Sequence, residues 1–234
     1  MNICSSKLND DIQSLAVSLG ADACGFANLR NVEEWITDQY GSEWADYSSA
    51  VSVSVDMPRD VVLDLLDGPT HAYLRYYDSV NARIDDICFR IANHLDHLGY
   101  RAYPIPASQM MSETKLAAAF SHRLAAREAG IGWIGKSCSI LRPGRGPMHR
   151  LGTVLTNAQF VFGKPMPEQC GECHACADIC PAHALKAVPF SSSSDRDDRF
   201  DAFACQAYLQ QTRKTFGKQI CGLCLAACPH GKNR

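Results

Sequence analysis

The sequence predicts an α+β protein in two parts: a mixed helix-and-strand domain over residues 1–162 and a small cysteine-rich module over residues 163–234. Three observations carry this. Helical and strand periodicities alternate through the first part without an internal repeat. Eight of the twelve cysteines fall between Cys170 and Cys228. Those eight form two related runs, Cys170-x2-Cys173-x2-Cys176-x3-Cys180-Pro181 and Cys221-x2-Cys224-x3-Cys228-Pro229, with Cys205 alone between them.

The first run has the spacing with which bacterial ferredoxins bind [4Fe-4S] clusters, where the cysteine before the proline ligates the other cluster. The second run supplies the ligands that this rule demands. Cys170, Cys173, Cys176 and Cys228 are therefore assigned to one cluster, and Cys180, Cys205, Cys221 and Cys224 to a second. Zinc sites present two separated pairs rather than three thiols in succession. Disulfide frameworks belong to small secreted domains, and this chain of 234 residues is long enough to bury a core.

Composition sets outer limits. The chain is 46% hydrophobic and 21% charged, with a formal net charge of -2. That is ordinary for a globular protein and unlike a basic nucleic-acid binder. Arg142, Arg145, His149 and Arg150 could still make a local basic face. The first residues lack the apolar core of a signal peptide, and no apolar run reaches the length of a membrane span. With free thiols, this points to a reducing, cytoplasmic setting.

The elements follow in order. Leu8, Ile12, Leu15, Ala16 and Leu19 predict a helix over 7–19, stopped at Gly20. Strands are expected over 22–28 and over 49–56, where SAVSVSVD alternates small polar residues with valine. A short helix is expected over 32–40. Val80, Ile84, Ile87, Cys88, Ile91, Leu95 and Leu98 make an apolar stripe on a long helix over 73–98, which places the Cys88 thiol in the core. The first turns of that helix carry Tyr73, Tyr76, Tyr77 and Asn81, one wall of a ligand pocket or a solvated helix end. A strand over 101–105, a helix over 114–129, and strands over 138–141 and 151–155 complete the first part. In the second, 191–199 reads as a mobile loop and 203–211 as a helix carrying Cys205.

Gly130-Ile131-Gly132-Trp133-Ile134-Gly135-Lys136 spells G-x-G-x-x-G. A dinucleotide site needs that pattern after a strand, before a helix, and with an acidic residue about 20 residues on. Here it follows a helix and leads into a strand, and 153–157 holds no carboxylate. Capping and close backbone approach explain these glycines. Lys136 could reach an anionic ligand from the loop.

The segment Ser121–Lys136, SHRLAAREAGIGWIGK, continuing through Leu151-Gly152-Thr153-Val154-Leu155-Thr156 into the double cysteine run, resembles the epoxyqueuosine reductase-related family. The likeness spans about residues 70–230. It implies a nitroreductase-like α/β sandwich followed by a ferredoxin-like double [4Fe-4S] domain. Relatives of that family include corrinoid-dependent reductases, reductive dehalogenases among them. Two departures count against epoxyqueuosine reduction itself. The family's D-x-A-P motif falls on Lys115-Leu116-Ala117-Ala118, which has no acid, and the helical tail after the clusters is missing. The resemblance thus implies a paralogue without the catalytic aspartate.

The expected function is an iron–sulfur oxidoreductase that passes electrons through two clusters to a cofactor and a small substrate held by the first domain. Cobalamin is the first candidate for that cofactor and flavin the second. The D-x-H-x-x-G motif that supplies a cobalt ligand is absent, since Asp96-His97-Leu98-Gly99 does not match it. Arg123, Gly132, Trp133, Gly135, Lys136 and Arg142 are the candidate cofactor-binding residues. His122 and Tyr76 are the candidate proton donors. A ferredoxin or flavodoxin would serve as electron donor, with no membrane and no nucleic-acid partner. The competing reading is a non-enzymatic electron carrier or activator for a partner protein.

Overall fold

The structure is a computed structural model. It describes residues 3–108, 116, 118–192 and 195–232, with no side-chain description for Ile3 and Cys4. In chain order the first half contains α1 (Ile3–Ser18), β1 (Ala23–Asn28), α2 (Glu33–Tyr40), β2 (Ser49–Asp56), α3 (Arg59–Leu63), α4 (His71–His97) and β3 (Ala102–Ile105). The rest contains α5 (His122–Glu128), β4 (Trp133–Ile134), β5 (Ile140–Leu141), β6 (His149–Thr156), α6 (Ala175–Asp178), α7 (Arg196–Arg199), α8 (Ala202–Phe216), α9 (Leu223–Ala226) and α10 (Pro229–Lys232). This is the mixed helix-and-strand content that the sequence predicts.

The chain divides into two compact units, each assembled from separated segments. One comprises 1–56, 80–131 and 150–166; the other comprises 57–79, 132–149 and 167–234. The sequence places a single boundary at 162/163, whereas these units interleave. Two earlier segments, 57–79 and 132–149, group with the cysteine module.

The first unit is built on a four-stranded sheet of order β1-β2-β6-β3. β1 runs antiparallel to β2 with Phe26 opposite Val51, and β3 antiparallel to β6 with Pro104 opposite Val154. Pro104, which cannot donate to a ladder, sits on an edge strand, where this costs nothing. Every residue of β2 except Asp56 is buried, its serines included. The Ser/Val alternation therefore marks an inner strand, not a half-solvated one. Close approach explains the small residues: a Cβ on Gly152 of β6 would stand 2.5 Å from both Ile84 Cγ2 and Cys88 Sγ of α4. Ile84, Ile87, Cys88, Ile91 and Leu95 form the buried stripe of that helix. Leu98 leaves the stripe, 49% exposed, because α4 ends at His97 and Gly99 turns the chain with φ +86.

The helix expected over 114–129 is shorter. Residues 109–115 and 117 lie outside the described residues, and Ala118–Ser121 is not helical. The helix starts where the Ser121 hydroxyl accepts the Leu124 N–H, an N-cap that the sequence reading passed over. α5 packs on β1 and β2, and Gly130, with φ +70, closes it. The loop expected over 191–199 is ordered at its end. Asp195 N–H donates to the Asp198 carboxylate to cap α7, and Arg199 is buried with its guanidinium 4.9 Å from the Phe190 ring. Ser193 and Ser194 lie outside the described residues.

In the second unit α9 is the hub. It packs on α3, on the 3-10 turn Asp64–Asp67, on α6 and on α10. The same unit holds the β4–β5 hairpin, with Trp133 opposite Leu141 and Ile134 opposite Ile140. No helix among the described residues is long and apolar enough to cross a membrane.

Candidate metal centre

The hairpin explains the glycine pattern. A Cβ on Gly132 would stand 2.2 Å from the Leu141 carbonyl oxygen, so the two strands meet too closely for a side chain. The turn is tied by Gly135 N–H to Ser139 O at 2.9 Å and Cys138 N–H to Gly135 O at 2.9 Å, with Cys138 itself at φ +56. A Cβ on Gly135 would lie 3.1 Å from Cys170 Sγ. G-x-G-x-x-G here is a tight hairpin laid against the cysteine run.

That run coils in short turns. The Glu168 carboxylate accepts the Cys170 N–H at 2.6 Å, and Cys173 N–H donates to Cys170 O at 3.0 Å. α6 then carries Cys176. Downstream, Cys228 closes the turn after α9, its N–H donating to Leu225 O at 3.3 Å. One cavity is lined by the Cys170, Cys173, Cys176 and Cys228 side chains, by Lys136, Ser137 and Leu141 of the hairpin, and by Pro229 and His230. Three cysteines of the first run and the last of the second thus meet around one space, the exchange that a two-cluster module requires. Burial pushes the thiols of Cys170, Cys176 and Cys228 each up to about 11. Nearby thiols reinforce the rise at Cys176 and Cys228.

The other four cysteines are one another's electrostatic neighbours. Burial raises Cys205 to about 11, with Cys221 and Cys180 adding to it. Cys224 is raised by burial and then by Cys221, Cys205, Cys176 and Cys180. Cys205 is carried on α8, which Asp201 caps by accepting the Ala204 N–H at 2.9 Å and Gly217 ends at φ +71. Gly222, between Cys221 and Cys224, has φ +97 and would place a Cβ 3.1 Å from the Tyr73 ring. Among the described residues, no three His, Cys, Asp or Glu side chains converge as a single metal ion requires. Zinc would draw its sulfurs to about 2.3 Å from one centre. Thiols spread around a cavity suit a multi-iron cluster, so the donor set fits the group.

The other candidate residues fall in both units. Lys136 is buried and its Nζ donates to Gly171 O at 2.6 Å, bracing the cysteine loop. Arg142 is half-buried, and its backbone bridges to Gly146. Arg145 donates to the Met57 carbonyl, while Arg150 donates to Asn81 Oδ1 at 3.0 Å and to the Ser108 hydroxyl. These arginines of the expected basic face thus bond to the protein itself. Tyr76 is 45% exposed and Tyr73 2%. Both belong to the second unit, whereas His122 and the exposed Arg123 belong to the first.

His122 is held at both nitrogens. Nε2 lies 3.3 Å from Pro106 O and Nδ1 2.9 Å from Thr153 Oγ1. A carbonyl only accepts, so Nε2 carries the proton and the threonine hydroxyl donates to Nδ1. Burial lowers the imidazole to about 4; the Pro106 carbonyl opposes this, and the Arg150 and Arg123 charges add to it. The ring is anchored at both nitrogens against β6, and burial disfavours its charged form. Sequence reasoning missed Ser137 and His230 at the cavity; the only signal was their adjacency to Lys136 and to Cys228-Pro229.

Comparison with known proteins agrees with this construction. Residues 169–231 match the family model of a 4Fe-4S double cluster binding domain. The chain is 38% identical over 122 residues to an epoxyqueuosine reductase of Bacillus cereus, covering 48% of this chain and 30% of that enzyme. It is 25% identical to an epoxyqueuosine reductase of Alicycliphilus denitrificans across 98% of this chain and 72% of that one. The chain thus spans less than half the length of several curated relatives that it matches. Among solved structures, the epoxyqueuosine reductase of Streptococcus thermophilus superposes with a TM-score of 0.61 at 18% identity, covering 100% of this chain and 67% of that one. A reductive dehalogenase described with a mechanism for B12-dependent dehalogenation gives 0.76 at 20% identity, covering 98% of this chain and 32% of that one. The chain is thus similar to epoxyqueuosine reductases along its length, and residues 169–231 match a 4Fe-4S double cluster binding domain.

Proposed function

We propose that this chain is an iron–sulfur oxidoreductase that passes electrons through two [4Fe-4S] clusters to a bound cofactor and a small substrate. Cys170, Cys173, Cys176 and Cys228 would hold one cluster, and Cys180, Cys205, Cys221 and Cys224 the other. The observation that carries this reading is the cavity in which Cys228 joins the three thiols of the first run. Bound there, each cluster supplies one-electron transfer at a potential set by charge, hydrogen bonds and exposure. The chain's own part is to fix the thiols: Lys136 braces Gly171, Glu168 holds the Cys170 N–H, and the glycines let the hairpin close over the run.

Residues 1–162 read as a nitroreductase-like α/β sandwich that holds the acceptor. A corrinoid is the first candidate for that acceptor and a flavin the second; fold likeness to a reductive dehalogenase described with B12-dependent dehalogenation supports that order. Arg123, which is exposed, and Arg142, which is half-buried, remain the candidates to meet an anionic cofactor group. His122 would orient rather than protonate, which leaves exposed Tyr76 as the candidate donor. Cysteines that would ligate iron suit a reducing cytoplasm, with a ferredoxin or flavodoxin as electron source.

Anaerobically purified protein, titrated with cobalamin and separately with flavin, tests the enzyme reading. One of the two should bind, and its visible spectrum should change when the clusters are reduced. Iron-replete protein that takes up neither would replace this reading with that of an electron carrier for a partner protein.

A further inference from the structure

Two buried hydrogen-bond donors on the β4–β5 hairpin have no hydrogen-bond partner among the described residues: Trp133 Nε1 and Ser137 Oγ. Trp133 is 3% exposed and Ser137 8%. An unpaired buried donor is costly, and native interiors rarely keep two so close together without something to receive them. Their surroundings say what that is. Ser137 lines the cavity that gathers Cys170, Cys173, Cys176 and Cys228. The Trp133 ring stands edge-on to the His230 ring at 5.1 Å, and His230 lines the same cavity. The hairpin between them lies against Cys170 Sγ. Lys136, the third candidate donor of this loop, is already engaged on Gly171 O. Ser137 thus borders the thiol cavity directly, and Trp133 stands beside it on the same hairpin, against His230 of the cavity lining.

We propose that the Trp133 indole N–H and the Ser137 hydroxyl donate to the sulfurs of the cluster held by Cys170, Cys173, Cys176 and Cys228, and that they set its reduction potential. This rests on the reading that those four cysteines hold a cluster. Each added electron increases the negative charge that the sulfurs share. A fixed donor stabilises the reduced form more than the oxidised form and raises the potential. The hairpin thereby acts as a tuning element for one of two clusters whose own ligands are alike. Trp133 and Ser137 are positioning residues for electron flow, not ligands.

The test is a redox titration of the full chain, purified anaerobically and followed by EPR, for the parent, Trp133→Phe and Ser137→Ala. In each variant one midpoint potential should move negative, the same one in both, while the other stays in place. Iron-replete variants with both potentials unchanged, or with both shifted equally, would overturn the proposal. A second readout needs no mutation. Protein labelled with 15N in its indoles should show a 15N coupling on the reduced cluster by pulsed EPR, and a parent without it would also overturn the proposal. If Trp133→Phe sheds iron, the labelled parent decides. A parent that binds no iron would instead defeat the cluster reading on which the proposal stands.

Discussion

At the scale of single residues, His122 shows how partners decide a role. Its ring is held neutral because burial opposes the charge, with the Arg150 and Arg123 charges adding to this and the Pro106 carbonyl, which takes the Nε2 proton's hydrogen bond, working against it. The native form binds this proton only near pH 4, whereas the unfolded ring binds it near 6.5. Between those values the unfolded state holds more protons, so stability rises with pH through that window and falls as the solution is acidified. The ceiling of the effect is about 3 kcal/mol. His122→Gln removes the titration, so melting temperatures measured from pH 6.5 to 4.5 should fall less steeply in the variant than in the parent. Equal slopes would show that the ring titrates normally. Residues of this kind were not legible in the sequence, since Pro106 and Thr153 lie 16 and 31 positions away. The cluster cysteines were, because cubane ligation itself dictates their spacing.

At the scale of elements, two glycines carry packing that no side chain could share. Gly152→Ala would push a methyl group into Ile84 and Cys88, where α4 lies on the sheet. Overpacking of this kind costs about 1–3 kcal/mol, to be seen as a lowered melting temperature. An unchanged melting temperature would mean that helix and sheet can part freely. Gly132→Ala drives a Cβ into the Leu141 backbone, so the hairpin must open. Its expected result is a loss of iron on purification, read by metal analysis. Retention of full iron would detach the hairpin from the cluster site. The sequence exposed the elements with strong periodicity, such as β2 and the stripe of α4. It overextended α5, because the alanine-rich approach to Ser121 reads as helix while the hydroxyl cap starts the helix later. It also took 191–199 for loose chain, because a charged run conceals the capped turn that buries Arg199.

At the scale of the whole molecule, the two units are woven from alternating segments. The sequence reading divides the chain at 162/163, whereas 57–79 and 132–149 group with the cysteine-bearing unit in the structure, since nothing local in a sequence announces a segment's distant partners. Those two segments matter: one contributes Tyr73 beside Gly222, and the other contributes the hairpin beside Cys170. The central claim is that eight thiols hold two clusters. Iron and acid-labile sulfide analysis of anaerobically purified protein, with EPR after reduction, tests it most directly. About eight irons and eight sulfides per chain, with the signals of two reduced clusters, is the predicted result. Zinc with little sulfide, or iron for a single cluster, would contradict it.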